Sequence, residues 1–326
     1  MHTQADAPRA GHPPVRDARA ADEAPLRAAR FDAAQMARHA RELAGRHSLS
    51  QQDAPEDSLA RLADNADLIA AACASLTRTA GADDIIPAAD LLLDHYQLID
   101  EQVRTARRQL PRARSRALPP LAAPDEAAGQ ARVHHLCLEF VAHCDSLLDE
   151  AALARFIAAY QESAVLKLGE LWAIPAMLRL ALIENLRRLA ARLVEVRRQR
   201  MLASEWAGRM VDAAERRPGD LILLVADMAR AVQPLSAAFV TELAQRLQGR
   251  GEALAQVLEW IGTRLADSGV RIDALAAQDS EAQALDAVSL ANCLASLRIV
   301  ERIDWHAFVE TASVVEQALR RDPAAV

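Results

Sequence analysis

The chain has 326 residues, enough for two compact helical domains or one elongated one. Alanine is abundant, whereas aromatic residues make up only 3% of the chain, and this composition favours helix over strand. The formal net charge is −7 with acidic and basic residues well mixed, which argues against a nucleic-acid-binding protein. We therefore predict an all-α fold, an irregular multi-helix bundle or array.

The N-terminal segment, residues 1–28, mixes Pro, Ala, Arg and Asp without periodicity and is predicted to be a disordered tail. It has no apolar core segment of the kind that a signal peptide needs. Uncharged runs elsewhere reach 11 residues, well short of the ~20 apolar residues of a membrane-spanning helix. The four cysteines include no CxxC pair. These features predict a reduced, cytoplasmic chain without a transmembrane segment.

Apolar residues recur at helical spacing along most of the chain. The clearest stripe runs from Leu171 to Leu193, where seven apolar residues share one helical face. Its helix is predicted to be central to the core, with Pro175 near its start, and to continue to about Met201. The other predicted helices cover about 31–46, 59–79, 87–110, 130–148, 150–162, 202–216, 220–231, 234–248, 251–268, 280–299 and 304–321.

A segment rich in Pro and Arg between residues 111 and 129 carries no helical stripe and is predicted to be a linker along the surface. The expected organisation is the tail, then an N-terminal helical subdomain with this linker over 29–122, then a main helical domain over 123–326. No fixed-period repeat is visible, so a regular solenoid is not expected.

The segment from residue 132 to 146 is chemically the richest. On a helix, His135, Glu139 and His143 lie four residues apart on one face, and two histidines with a carboxylate could hold zinc. The HExxH order is missing and no fourth ligand can be identified. We favour a second interpretation, in which these residues are solvated or salt-bridged beside an apolar stripe. Cys144 next to His143 is a poor nucleophile pair, because adjacent helical residues point about 100° apart.

The residues after the third predicted helix form a basic stretch, Arg107, Arg108, Arg112, Arg114 and Arg116. It could contact a phosphate, an anionic lipid head group or an acidic partner surface. A solvated face is the more common outcome of such a run. Phosphate-binding glycine loops and the GxSxG motif are absent from the sequence. We therefore predict no catalytic residue, no cofactor-binding residue and no cofactor.

Four segments occur in the order and spacing of one known family. They are LLLDHYQLIDEQVRTARRQLP (91–111), RVHHLCLEFVAHCDSLLD (132–149), YQESAVLKLGELWAIPAMLRLALIENLRRLA (160–190) and SLRIVERIDWHAFVETASVVEQALRRDPAAV (296–326). In these segments the chain resembles the N-terminal region of cyclic β-1,2-glucan synthases, and the resemblance extends over about 31–326. Residues 112–115 depart from it, since the family usually has a glycine and tyrosines there.

The resemblance implies a part of a very large inner-membrane glycosyltransferase that polymerises glucose from UDP-glucose and cyclises the product. The family's catalytic domains lie downstream of this region, so the resemblance implies a truncated, non-catalytic scaffold or regulatory element at the cytoplasmic face of the membrane. Its partners would be the remaining synthase domains or another protein. No catalytic residue is carried over, because none of the matched positions is catalytic in the family.

The residues themselves leave two alternative functions open. One is a free-standing helical interaction module that binds a protein partner through its leucine-rich faces. The other is a metal-dependent enzyme centred on His135, Glu139 and His143.

Overall fold

The computed structural model describes residues 23–51, 57–78, 86–125, 127–267 and 269–314. Within these ranges the all-α prediction is confirmed, because helices cover more than two thirds of the residues and the only extended pairings are two isolated bridges. The helices are α1 (Ala33–Arg46), α2 (Ser58–Arg78), α3 (Pro87–Asp94), α4 (Tyr96–Gln109), α5 (Arg112–Arg116), α6 (Arg132–His143), α7 (Glu150–Gln161), α8 (Leu168–Leu171), α9 (Ile174–Arg216), α10 (Leu221–Ala231), α11 (Ala237–Leu247), α12 (Glu252–Ala266), α13 (Ile272–Arg302) and α14 (Trp305–Ala312), with a 3-10 turn at Pro218–Asp220.

Helix α9 is the central element of the fold. It has 43 residues and is about 65 Å long. Its N-terminal half is buried on nearly every side, and Leu182 has no exposed surface. The prediction that this stripe forms the central core helix is confirmed. The separate helix predicted over 202–216 is wrong, because it continues α9 without a break.

The buried apolar side chains form two clusters, both built on α9. The larger cluster packs the first half of α9 against α2, α4, α6 and α13. The smaller cluster packs its second half, from Ala203 to Ala213, against α10, α11 and α12. The larger cluster takes residues from both sides of position 122, where the sequence placed a domain boundary.

The helix predicted from Pro87 to Leu110 is broken at His95, which separates α3 from α4. The His95 ring nitrogen Nδ1 lies 3.0 Å from the carbonyl oxygen of Leu91, one turn earlier. A side chain that donates to this carbonyl competes with the backbone hydrogen bond of a continuous helix. The break lets both pieces turn apolar faces toward the larger cluster.

The segment before α1 is extended and lies against α9 and α13. The Leu26 amide donates to the Asn185 side chain at 2.7 Å, and Arg27 forms an ion pair with Asp286 at 3.2 Å. Of the tail predicted over 1–28, only 23–28 fall within the described residues, and they make these contacts. The rest of that prediction lies outside the described part of the chain.

Across the described ranges, no helix is both long enough and apolar enough to cross a bilayer.

Candidate functional site

Helix α1 carries two histidines that meet the polar face of α6. Asp32 begins α1 with a capping box: its carboxylate accepts from the Gln35 amide at 2.8 Å, and the Gln35 side chain accepts from the Asp32 amide at 2.9 Å. Such a cap stabilises the first turn of a helix by about 1 kcal/mol. The helix then places His39 and His47 on the side that faces α6.

Helix α6 buries Cys137 and Val141 in the larger cluster and turns its opposite face toward α1. It ends at His143 rather than near 148 as predicted, because Asp145 and Ser146 adopt positive φ angles of 50° and 58°. Helix α13 holds this turn: the Ser296 hydroxyl donates to the Ser146 carbonyl at 2.6 Å.

Glu139 is the centre of the cluster formed between α1 and α6. One of its carboxylate oxygens lies 2.7 Å from His39 Nε2 and 3.8 Å from His143 Nε2. The other oxygen lies 3.6 Å from His135 Nε2. The favoured interpretation was a solvated or salt-bridged face, and here the rings of His39, His135 and His143 all lie within 4 Å of the Glu139 carboxylate. His39 belongs to the cluster as well, although the sequence analysis did not single it out.

A chain of polar contacts continues from His135 away from Glu139. His135 Nδ1 lies 3.0 Å from His47 Nε2, and His47 Nδ1 lies 3.0 Å from the Tyr160 hydroxyl oxygen. One pair of tautomers satisfies both contacts: Tyr160 donates to His47, and His47 donates to His135. A directed series of hydrogen bonds therefore runs from Tyr160 to His135, and Nε2 of His135 lies 3.6 Å from the Glu139 carboxylate, beyond hydrogen-bonding distance.

The pKa values agree with neutral rings at His47 and His135. Burial lowers the pKa of His47 to about 4, with nearby His135 adding to the effect, and burial also lowers the pKa of His135. Burial opposes ionisation of Glu139, but the hydrogen bond from His39 and the neighbouring histidines outweigh it and keep its pKa below the usual value. Burial raises the pKa of Tyr160 to about 12, so its hydroxyl remains a donor.

The ring of His143 is held on two sides. Its Nδ1 donates to the Ala29 carbonyl at 2.8 Å, in the extended segment before α1. Phe31 stacks on it, with ring centroids 3.8 Å apart and planes 10° apart. Because Nδ1 donates in this contact, Nε2 is the ring nitrogen turned toward Glu139.

Cys144 is not an activated nucleophile. Burial raises the pKa of its thiol to about 12, with the neighbouring Cys293 and Asp145 contributing in the same direction. A thiol with this pKa stays protonated at neutral pH, and the thiolate is the reactive form. The prediction that Cys144 is a poor nucleophile agrees with the burial of its thiol.

The predicted basic stretch lies on α4, α5 and the turn between them, and all five arginine side chains are exposed. Within the described ranges none of the five forms an ion pair with a carboxylate; Arg108 donates to the Thr105 hydroxyl at 3.0 Å. Contact with an anion stays a prediction for Arg107, Arg108, Arg112, Arg114 and Arg116.

The cluster of Glu139 and its histidines can hold a metal ion, because carboxylate and imidazole groups are ligands that zinc accepts. Three potential ligand atoms, from His39, Glu139 and His143, lie within 4.8 Å of one another. His135 from the predicted set is directed to His47 instead.

Comparison with known proteins gives one informative similarity. The cyclic beta-(1,2)-glucan synthase NdvB of Rhizobium meliloti (strain 1021) is 33% identical over 237 residues, which cover 72% of this chain and 8% of the synthase. The chain thus spans less than a tenth of the length of this relative. No protein-family model matches the chain. The chain is related to a cyclic glucan synthase through a small part of that protein.

Proposed function

We propose that the chain is a non-catalytic helical region of a cyclic β-1,2-glucan synthase, corresponding to the N-terminal part of that polypeptide at the cytoplasmic face of the inner membrane. It would serve as a scaffold or regulatory element for domains that transfer glucose from UDP-glucose. The observation that carries this proposal is the 33% identity over 237 residues. Because the match takes up 8% of the synthase, most of that protein lies outside it and can hold the catalytic domains.

The environments of the buried carboxylates support a structural role. Glu170 pairs with Arg132, and Asp286 pairs with Arg192 at 2.6 Å. Burial opposes the ionisation of Glu184, but hydrogen bonds from Arg61 and its charge lower the pKa of Glu184 to about 2. A general acid needs a pKa near the working pH, and a carboxyl with a pKa of about 2 is permanently ionised.

The long helix α9 also supports a scaffold. It belongs to both hydrophobic clusters and is one continuous helix between them. An α-helix of 43 residues can hold two packed groups of helices at a set separation of tens of ångströms. Such an element suits a region that positions other domains.

A second candidate function is a free-standing module that binds another protein. Ile222 and Leu223 of α10 are 80% and 63% exposed. Ile222 and Trp260 of α12 line one groove between α10 and α12. Exposed apolar patches often mark interaction sites. Of the leucine-rich faces, the one on the N-terminal half of α9 is buried in the larger cluster and is not open to a partner.

Binding measurements separate the two candidates. We expect the purified chain to bind a purified synthase that lacks the segment matching it, with one chain per synthase. The intact synthase is the matched control and should bind no added chain, because its own segment occupies the position. Equal binding to both forms would favour a separate interaction module, and no binding to the truncated form would contradict the scaffold proposal.

A further inference from the structure

We propose that His39, Glu139 and His143 bind one divalent transition-metal ion between α1 and α6, with zinc as the ion that suits them best. Their three ligand atoms lie within 4.8 Å of one another. Ligand atoms around tetrahedral zinc are about 3.3 Å apart, given bonds of about 2.0–2.1 Å. The observed separations from the Glu139 oxygen, 2.7 Å to His39 and 3.8 Å to His143, lie on either side of that value.

The ligand types select the class of ion. Two imidazole nitrogens with one carboxylate oxygen form a set that zinc accepts when it keeps a fourth position open for water or another ligand. Imidazole also suits copper and nickel, whereas calcium and magnesium prefer oxygen ligands alone. The side chains of His39, Glu139 and His143 are 13%, 27% and 13% exposed, so an ion can enter from solvent.

The surroundings of His143 orient its ring for an ion. The Ala29 carbonyl accepts from Nδ1 at 2.8 Å, so Nε2 is the nitrogen turned toward the Glu139 carboxylate, 3.8 Å away. An ion bound there would take His143 Nε2 and a Glu139 oxygen as ligands. A backbone carbonyl on the far nitrogen is also the usual partner of a metal-bound histidine.

His135 acts as a positioning residue for the proposed site. Its Nε2 lies 3.6 Å from the Glu139 oxygen that the other two histidines leave free, and its Nδ1 is held by His47 at 3.0 Å. A histidine fixed beside the second oxygen in this way restricts the orientation of the ligating carboxylate. Phe31, stacked on His143, restricts the rotation of that ring.

An ion at this position would connect α1 and the segment before it to α6. It would replace the hydrogen bond between His39 and Glu139, and His39 would then carry its proton on the other ring nitrogen. An ion that binds the folded chain and not the unfolded chain stabilises the folded state by mass action. The melting temperature should therefore rise with zinc concentration.

The test is calorimetric titration of the untagged, chelator-treated full chain with zinc alone. We expect one ion per chain, and we expect His39→Ala and His143→Ala each to weaken binding by at least about 10-fold. His306→Ala is the matched control, because His306 is exposed on α14 and its ring is part of a contact outside the cluster. This variant should bind zinc with the same affinity as the unchanged chain. No binding by the unchanged chain, or unaltered affinity in both cluster variants, would overturn the proposal.

A measurement on the unchanged chain covers the case in which the variants fail to fold. In the magnetic resonance spectrum of chain labelled at the histidine ring nitrogens, zinc should move the assigned signals of His39 and His143. The His306 signals should stay in place. Movement confined to histidines other than His39 and His143 would place the ion elsewhere and refute the site.

Discussion

Replacing Glu170 by alanine is expected to lower the free energy of unfolding by about 3–5 kcal/mol, because it leaves a buried arginine without its charge partner. Glu170 and Arg132 side chains are 1% and 5% exposed. Arg132 donates to both Glu170 oxygens, with Nε at 2.9 Å from Oε1, and the Lys167 amide donates to Oε2 at 2.9 Å. Denaturant unfolding at neutral pH measures the loss.

The double variant Arg132→Met with Glu170→Leu is the control for this pair. Removing both charges leaves no buried charge without a partner, so the double variant should be clearly more stable than Glu170→Ala. A double variant as unstable as the single one would show that the loss comes from packing. A single variant that costs less than about 1 kcal/mol would show that water reaches the Arg132 guanidinium.

Leu182→Ala is expected to cost about 2–5 kcal/mol of the free energy of unfolding, because it leaves a cavity in the larger cluster. Leu182 has no exposed surface and lies in the part of α9 that is buried on nearly every side. Neighbouring helices hold that region from several directions, which limits how far the cavity can collapse. The shift of the denaturant midpoint at an unchanged slope gives the loss.

Leu285→Ala provides the matched comparison, since Leu285 lies within α13 and is 42% exposed. The same atoms are removed from a helix, but little apolar area is lost from the core, so the expected cost is below about 1 kcal/mol. An equal loss of unfolding free energy in the two variants would contradict the central position of Leu182 in the core.

The sequence was sufficient for the helical class of the fold and for the buried face of α9, because apolar spacing reports directly on burial. It missed the break at His95 and the short helix α5 (Arg112–Arg116), which lies within the segment predicted to be a linker. It did not show that α9 continues past Met201. The residues around Met201 form helix readily and no Pro or Gly interrupts them, so the expectation of a boundary there had no physical basis. The end of α6 depended on Asp145 and Ser146, whose positive φ angles are held by contacts with α13.

The candidate site was predicted in part. The spacing of His135, Glu139 and His143 placed them correctly on one face of α6. His39 could not be joined to them from spacing, because it lies 100 residues before Glu139 and meets it only in the folded chain, where α1 packs mainly on α7. A signal existed at α1, because His39 within the helix and His47 at its C-terminal cap are eight residues apart and therefore lie on one side of the helix.

The most direct measurement for the whole account is incorporation of labelled glucose from UDP-glucose in the presence of divalent metal. It is made with the purified chain alone, with a glucan synthase that lacks the matching segment, and with the two together. The account predicts no incorporation by the chain alone and higher incorporation by the truncated synthase when the chain is added. Incorporation by the chain alone would contradict a non-catalytic role, and full activity of the truncated synthase without the chain would contradict a scaffold.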